Sequence, residues 1–252
     1  MKAFPPLLVV AFIPSLAVAS DAGVNFGLGA SISSSPYAGE GTSISPLPLI
    51  RYESEHFFVN RNRAGVHLID AGAFTLDGGI SLRTDGIDQE DFGRRELAEN
   101  GVNRDLLDDR DDAIDAQLTA KYKKPFGVVE LRISADTGGN GEHAWMAYEY
   151  PFSAGPVTLV PGVGARYLSG SLANYHFGIS SKEQARGVGA YSPGSTFLPE
   201  MGLGMLWPIG DKWAVLGDFR YRPLPDELIE SPLVEDGVDS NYSLFLGITR
   251  QF

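Results

Sequence analysis

The chain ends on Asn241–Phe252, NYSLFLGITRQF, in which apolar and polar side chains alternate. Successive side chains of a β-strand point to opposite faces, so this segment has one apolar face and one polar face, with Phe245 as the exception. The apolar face holds Tyr242, Leu244, Leu246, Ile248 and Phe252. Such a strand, closed by an aromatic residue, is typical of the end of a bacterial outer-membrane β-barrel. We expect these five residues to form the C-terminal signal that the barrel-assembly machinery reads.

The same alternation recurs along the chain and predicts a series of strands. Eleven further segments show it: 23–33, 45–53, 56–61, 64–69, 73–84, 113–123, 128–136, 144–152, 157–168, 197–207 and 213–222. The three segments between residues 45 and 69 are short, so twelve strands are expected and ten remain the alternative. An even number places both chain ends on the same side of the membrane.

A soluble β-sandwich would show the same alternation, but two features favour a membrane barrel. Aromatic residues such as Tyr122, Tyr167 and Trp213 lie near strand ends on the apolar faces, as in an interfacial girdle. The connections also differ in length between the two ends. The long ones are 34–44, 85–112, 137–143, 169–196 and 223–239. The sequence therefore predicts an all-β, transmembrane antiparallel β-barrel surrounded by outer-membrane lipid, with short periplasmic turns and long outer loops.

The first residues have the pattern of a secretory signal peptide. Lys2 supplies the positive charge, Leu7–Ile13 is an apolar run too short to span a bilayer, and Ala17-Val18-Ala19 fits a cleavage site. We expect residues 1–19 to be removed and residues 20–252 to form a single domain in the outer membrane of a Gram-negative cell. The chain has no cysteine, so pairing and packing must stabilise it without disulfides.

The net charge of −12 argues against nucleic acid as a partner, because phosphates require a basic surface. Much of the excess lies in segment 85–112, which holds eleven acidic residues against four arginines. Clustered carboxylates suit divalent cations, but this segment lacks the spacing of a preformed calcium loop. A solvated surface loop is the favoured interpretation, cation binding is the alternative, and neither metal nor cofactor is predicted.

The polar faces carry charges of both signs, which predicts ion pairs inside a narrow or plugged lumen.

Glycines occur in pairs on three inward faces, at Gly27/Gly29, Gly162/Gly164 and Gly202/Gly204. We expect them to make room for bulky neighbours or to permit curvature, and a smooth wall for a passing solute is the alternative. Prolines that lack a ladder donor should lie at strand ends, edges or bulges, namely Pro46, Pro48, Pro161 and Pro199.

Catalysis is not predicted. The histidines are His56, His67, His143 and His176. Ser134 and His143 fall on neighbouring strands near the outer end, both on the inward face, whereas a lipid substrate would need them to face outward. No G-x-S-x-G nucleophile elbow is present. No catalytic residue is therefore assigned.

Residues 175–180, YHFGIS, followed by Glu183-Gln184-Ala185 and by residues 190–194, AYSPG, resemble the Y-Y-G-V-S…A-Y-x-P loop of the MipA/OmpV family (MltA-interacting protein). The resemblance extends over essentially the whole mature chain. Its supporting pieces are SPYAG at 35–39, residues 46–52 followed by 57–59, and Asp226 with SPLV at 231–234. Two positions depart from the family pattern: His176 replaces a second tyrosine, and the Tyr-Arg-Phe ending is here Thr249-Arg250-Gln251-Phe252.

The resemblance implies a non-enzymatic barrel that acts as a scaffold joining a lytic murein transglycosylase to a murein synthase. It also leaves open a narrow channel for small solutes, or an adhesion or stress-response surface protein. We further expect the loop 171–196 to lie on the outer or lumen side. If it folds inward, Tyr175, His176 and Tyr191 would constrict the channel.

Overall fold

The computed structural model describes residues 23–252, so the predicted signal peptide, residues 1–19, lies outside the described residues. No helix within residues 23–252 has both the length and the apolar character needed to cross a bilayer. Thirteen strands account for most of the described chain. They are β1 (Gly23–Ser34), β2 (Thr42–Glu53), β3 (Phe57–Asn60), β4 (Arg63–Ala71), β5 (Phe74–Arg83), β6 (Ala113–Lys124), β7 (Gly127–Asp136), β8 (Glu142–Glu149), β9 (Phe152–Ala154), β10 (Val157–Leu168), β11 (Thr196–Ile209), β12 (Trp213–Pro223) and β13 (Ser240–Gln251).

The strands form one closed antiparallel sheet. Consecutive strands pair with each other, except that β8 and β9 both pair with β10, and β13 pairs with β1 to complete the ring. β9 continues β8, because both pair with β10, and the wall therefore has twelve crossings. The prediction of a twelve-stranded antiparallel barrel is confirmed, and the ten-stranded alternative is wrong.

The long connections lie at one end of the barrel, which we call the loop end. The first described residue, Gly23, the last residue, Phe252, and most of the short turns lie at the other end, the turn end. The long connections contain short helices: α1 (Arg94–Glu99), α2 (Gly170–Phe177), α3 (Ser181–Ala185) and α4 (Asp226–Ile229). Two 3-10 turns, Gln89–Asp91 and Arg104–Leu106, flank α1. Helical structure is thus confined to the connections.

Apolar side chains point out of the barrel and charged ones point in. Leu28 on β1 is 72% exposed, whereas Asp115 on β6 and Arg220 on β12 are almost fully buried. This is the reverse of a water-soluble protein, and it fits a wall whose outer surface meets hydrocarbon. The orientation predicted from the polar faces is confirmed.

Pro46 and Pro48 lie on an edge of β2 that needs no N–H donor. The Arg61 N–H donates to Ile50 O at 2.8 Å. Ile50 and the other even-numbered residues of β2 therefore turn their backbone groups away from β1. Within the described chain, no strand pairs with residues 42–49 of β2 on that side. The two prolines thus remove donors that would otherwise be unpaired.

The other two prolines also lie at interruptions of the ladder. Pro161 O accepts from the Tyr150 N–H at 3.0 Å, where β8 ends before β9 begins. The pairing of β11 with β12 begins only at Met201. Pro199 lies two residues nearer the loop end, where β11 has no partner in β12. The prediction that the four prolines occupy strand ends, edges or bulges is therefore confirmed.

The inward glycines make room for large side chains. Phe245, the exception in the terminal strand, turns its ring into the lumen and is 1% exposed. A Cβ on Gly29 would lie 2.6 Å from Cε2 of that ring, and a Cβ on Gly247 would lie 2.7 Å from its Cζ. On β11, a Cβ on Gly202 would lie 2.6 Å from Cδ of Arg220. Absence of a side chain at these positions is what allows bulky neighbours to fill the interior.

The hairpin of β3 and β4 is shorter than the wall around it. β3 has four residues, and the turn that follows places Arg61 at a φ of 56°. The Asn62 carbonyl accepts from the Leu82 N–H at 2.8 Å, while the Arg61 guanidinium lies 5.4 Å from the centroid of the Phe245 ring. The turn is therefore set into the wall between β2 and β5 and does not reach the loop end.

The substitution Gly247→Ala should lower the free energy of unfolding by about 1–3 kcal/mol, because the new methyl group meets Phe245 and Leu49 in a filled interior. Phe245→Leu in the same chain should restore part of that loss. Urea unfolding of the barrel folded in detergent measures both effects. Gly189→Ala is the matched control, because no atom lies within 4 Å of its Cβ position. Equal losses at positions 247 and 189 would contradict the packing explanation.

Candidate functional site

An apolar cluster, which we call the cap, lies at the loop end. Four connections contribute to it: 35–41, 84–112, 169–195 and 224–239. Its buried members are Tyr37, Ala38, Ile87, Phe92, Leu97, Val102, Leu107, Leu168, Leu172, Ala173, Phe177, Ile179, Val188, Leu198, Leu224, Leu228, Leu233 and Val234. The connections therefore share one core.

The acidic segment 85–112 is not the solvated loop that its composition predicts. Leu97 on α1 is fully buried, and Ile87 and Phe92 are each 1% exposed. Its charges lie mainly on the outer side, where Arg94 and Asp105 form a largely exposed ion pair at 2.7 Å. Segment 85–112 is thus amphipathic: its apolar residues pack into the cap while its carboxylates, apart from Asp85, lie mainly toward solvent.

Tyr37 joins three of the connections. Its ring lies 5.5 Å from the rings of Phe92 and Phe177, edge-on to the first and nearly parallel to the second. The Ala38 N–H donates to Leu233 O at 2.9 Å, and the Gly93 N–H donates to Ala38 O at 2.8 Å. Aromatic contacts and backbone hydrogen bonds thus fix the 35–41 connection beneath its neighbours.

A buried ion pair holds segment 85–112 to the loop that contains α2 and α3. Arg110 Nη1 lies 2.7 Å from Glu183 Oε1, and neither side chain is more than 4% exposed. Glu183 also accepts the Ser180 N–H at 2.7 Å and the Asp108 N–H at 2.9 Å. Burial acts to raise the pKa of Glu183, but these hydrogen bonds and the Arg110 charge outweigh it and hold the pKa below its ordinary value.

A second charged cluster lies directly under the cap. Arg83 contacts Asp85 and Asp136, each at 2.8 Å, and its Nη1 lies 2.7 Å from Nε2 of His176. Burial, together with the charges of Arg83 and Arg110, lowers the pKa of His176, although Asp85 acts in the other direction. A neutral imidazole can accept the Arg83 hydrogen bond. The His176 ring thus connects the cap to the charged lumen.

The predicted constriction residues all lie in the cap region. Tyr175 Oη accepts the Asp111 N–H at 2.6 Å, and Tyr191 Oη donates to Glu227 O at 2.6 Å. His176 lies beside Tyr175, with ring centroids 5.0 Å apart. The structure brings Tyr175 and His176 together and places Tyr191 against the connection that contains α4. Constriction of a channel by these residues stays a prediction.

Sequence reasoning missed Arg110 and Glu183, although one signal was visible. Ser180 and Glu183 form a capping box at the start of α3, and its S-x-x-E spacing can be read from the sequence. Nothing in the spacing indicates that Arg110, seventy-three residues away, is its partner.

Ion pairs also cross the lumen nearer the turn end. Arg220 lies 3.0 Å from Asp218 and 3.9 Å from Glu149 on β8. Glu200 binds Arg222 at 3.0 Å and accepts the Trp145 indole N–H at 2.7 Å. The contacts of Arg220 with Glu149 and of Glu200 with Trp145 connect strands that are not neighbours in the wall, as the mixed charges of the polar faces predicted.

Ser134 and His143 do lie opposite each other on β7 and β8. Each is engaged elsewhere, however: Ser134 Oγ accepts from Gln117 Nε2 at 3.0 Å, and His143 Nε2 lies 3.0 Å from Asp115 Oδ2. Within residues 23–252, no group of three or more His, Asp or Glu side chains is arranged to hold a metal ion.

Known proteins resemble this chain, some of them over almost its whole length. A family model described as MltA-interacting protein MipA matches residues 26–252. The MltA-interacting protein of Escherichia coli (strain K12) is 28% identical over 93% of this chain and 95% of its own length. The putative outer membrane protein YiaT of the same strain is 25% identical over 95% of both chains. The outer membrane protein OmpV of Vibrio cholerae is 28% identical over 51% of both chains.

Solved outer-membrane proteins align with most of the chain. The NanC porin has a TM-score of 0.49 at 8% identity and covers 90% of this chain and 100% of its own. The COG4313 outer membrane channel from Pseudomonas putida F1 has a TM-score of 0.48 at 12% identity and covers 95% and 99%. The family match takes in all of β2 to β13 and most of β1. The chain therefore belongs to the MltA-interacting protein (MipA) family of outer-membrane β-barrels.

Proposed function

We propose that this barrel is a non-enzymatic scaffold that holds murein-processing enzymes, a lytic transglycosylase and a murein synthase, at the periplasmic face of the outer membrane. The cap is the observation that carries the proposal. An apolar core over the outer end of the barrel closes the lumen to solutes, and a closed barrel suits a scaffold better than a channel. The name of the Escherichia coli relative, MltA-interacting protein, supports a protein partner. The turn end then becomes the surface on which such a partner docks.

The turn between β6 and β7 is the most suitable docking surface at that end. Phe126 is 61% exposed, and Lys123 and Lys124 beside it are exposed as well. The Tyr148 hydroxyl donates to Phe126 O, which fixes the turn against β8. An exposed aromatic ring flanked by two ammonium groups suits an acidic patch on a partner. Because the turns are short, the contact is expected to be small and reversible.

Replacing Lys123 and Lys124 by glutamate and Phe126 by aspartate should weaken binding of a purified lytic transglycosylase at least tenfold, because both the charge and the apolar anchor are lost. Binding to the barrel in nanodiscs, measured by surface plasmon resonance, tests this. Lys182→Glu on the exposed side of α3 is the control and should leave binding unchanged. Undiminished binding by the triple variant would place the contact elsewhere, and failure of the unaltered barrel to bind would refute the scaffold.

A narrow channel is the second candidate, and the charged lumen favours it. The two candidates differ in planar-bilayer recordings. The unaltered barrel should show no steady openings, whereas Glu183→Ala should show frequent ones. Breaking a buried ion pair by removal of one partner costs about 3–5 kcal/mol, and here that loss falls on the cap. Steady openings of the unaltered barrel, as frequent as those of the variant, would favour the channel.

Acid should loosen the cap. The pKa of Glu183 is below its ordinary value in the folded state. Its contribution to stability is therefore fully present above the ordinary glutamate pKa and is lost as the pH falls through the lowered one. Hydrogen-exchange protection factors for residues 102–110, compared between pH 7 and pH 3, should fall in the unaltered protein. In Glu183→Gln they should be low at both values, and an unchanged pH response in that variant would assign the effect to another group.

A further inference from the structure

In its outer half, above the short hairpin of β3 and β4, the wall formed by residues 23–252 lacks strand pairing, and we infer an opening there. Two strands separate β2 from β5 at the level of the hairpin, which corresponds to roughly 14 Å between β2 and β5. Beyond the turn at Arg61–Asn62, within the described chain, residues 42–49 of β2 have no strand on this side. On β5 the pairing with β4 ends at Ser81, and the Leu82 N–H bonds to the turn itself.

The edge of β2 is not suited to accept another strand. Pro46 and Pro48 remove two of the donors that an added strand would need, and proline is one of the devices that protect exposed sheet edges. The connections 35–41 and 84–112 close the opening above, because Ala38 and Gly93 are hydrogen-bonded there. The opening is thus a bounded window that is kept free of a strand.

The window faces lipid. Ile44 on β2 is 68% exposed and Leu82 on β5 is 47% exposed, both on the outer surface. Ile44 is aligned with Ile32, and Ile32 with Leu244, across the neighbouring strands. Leu244 is one outward position nearer the turn end than Tyr242, an exposed aromatic residue close to the loop end of β13, where an interfacial ring is expected. The two sides of the window therefore lie at the depth of the outer-leaflet acyl chains.

Behind the window is a cavity whose polar groups lack partners. Its volume is about 20 Å³, which is room for one group the size of a water molecule or an ammonium, and it is lined by residues that include Ser33, Tyr37, Glu40, Ser43 and Asp85. The hydroxyls of Ser33 and Tyr37 are buried, with 7% and 4% of each residue exposed, and neither makes a hydrogen bond. Unpaired buried hydroxyls are costly in a folded protein and indicate a place where a polar group binds.

Glu40 decides which charge the cavity accepts. Its carboxylate is partly buried and accepts a hydrogen bond from the Ser35 hydroxyl. Within residues 23–252, no Lys, Arg or His side chain forms an ion pair with it. Burial raises the pKa of Glu40 to about 7, and the nearby charge of Asp91 adds to the effect. A cation at this position would offset the cost of burying the ionised Glu40 carboxylate, whereas an anion would be repelled by it.

We propose that the window admits alkylammonium amphiphiles from the outer leaflet. The ammonium group lies against Glu40 and donates to the free hydroxyls of Ser33 and Tyr37. The alkyl chain passes out between Ile44 and Leu82 into the lipid. A molecule that enters from the lipid through the wall does not pass the cap. The cap can therefore remain in place while such a molecule reaches the interior. This site is independent of the scaffold role, because it does not involve the periplasmic turns.

Binding is tested with radiolabelled decylamine and the full barrel in nanodiscs, with protein-free nanodiscs subtracted. One decylamine should bind saturably per barrel, and decanol and decanoate of the same chain length should bind at least tenfold more weakly. Decylamine affinity should rise between pH 6 and pH 8, because Glu40 ionises over this range while the amine remains protonated. Glu40→Gln should lower the affinity at least tenfold and remove the pH dependence.

Glu99→Gln is the matched control, because that carboxylate is 67% exposed on α1 and distant from the cavity; it should leave the affinity unchanged. Equal binding of decanoate, or equal binding by the Glu40→Gln variant, would overturn the assignment of an ammonium site.

The window itself is tested by quenching with lipids brominated on their acyl chains. Leu47→Trp places an indole on the inward face of β2 behind the window, and Gln117→Trp places one on the inward face of β6, where both neighbouring strands are present. Trp207 and Trp213 are replaced by phenylalanine in both variants. Position 47 should be quenched and position 117 should not. No difference between the two positions would show that the wall is closed and would overturn the lipid route.

Discussion

The hydrogen bonds between β13 and β1 are the constraint on which the rest of the structure depends. They run from the Asn25–Gln251 pair to the Ser33–Ser243 pair and close the sheet on itself. In hydrocarbon, each unpaired backbone group costs several kcal/mol, so a sheet in a membrane must leave almost no free edge. Closure after twelve crossings fixes the diameter, and the diameter in turn requires that side chains such as Arg220 and Phe245 fill the interior.

The cap obeys the opposite rule from the wall. Along the strands, apolar side chains face lipid and charges face the lumen; in the cap, Leu97 and Leu172 are buried and most carboxylates, with the exception of Glu183, face water. Lipid surrounds the wall and water surrounds the cap, so the preferred position of apolar side chains changes from outside to inside where the strands end. Arg83 lies at this boundary, since it binds carboxylates of the lumen and contacts His176 of the cap. Displacement of the cap would therefore expose both apolar surface and charges that are now paired.

The wall could be predicted from the sequence because a strand between lipid and a polar lumen has a strict period of two. Even the break in that period at Phe245 was visible, although part of its cause, the space left by Gly29, depends on the neighbouring strand β1. The cap could not be predicted in the same way. Its contacts join residues as distant as Arg110 and Glu183, and the charge of segment 85–112 hides the apolar residues between the carboxylates. The short β3 was predicted as a strand, but its failure to reach the outer end follows from the partners of Ile50 and Leu82.

The low hairpin of β3 and β4 also makes the hydrophobic belt uneven around the circumference. Over most of the barrel the belt spans the full bilayer, but in this sector paired strands cover chiefly the periplasmic half. Lipids next to it must thin or tilt, and such mismatch costs fractions of a kcal/mol per ångström. We therefore expect the membrane to deform on this flank, and a one-sided deformation would bias the rotational orientation of the barrel toward its neighbours in a crowded membrane.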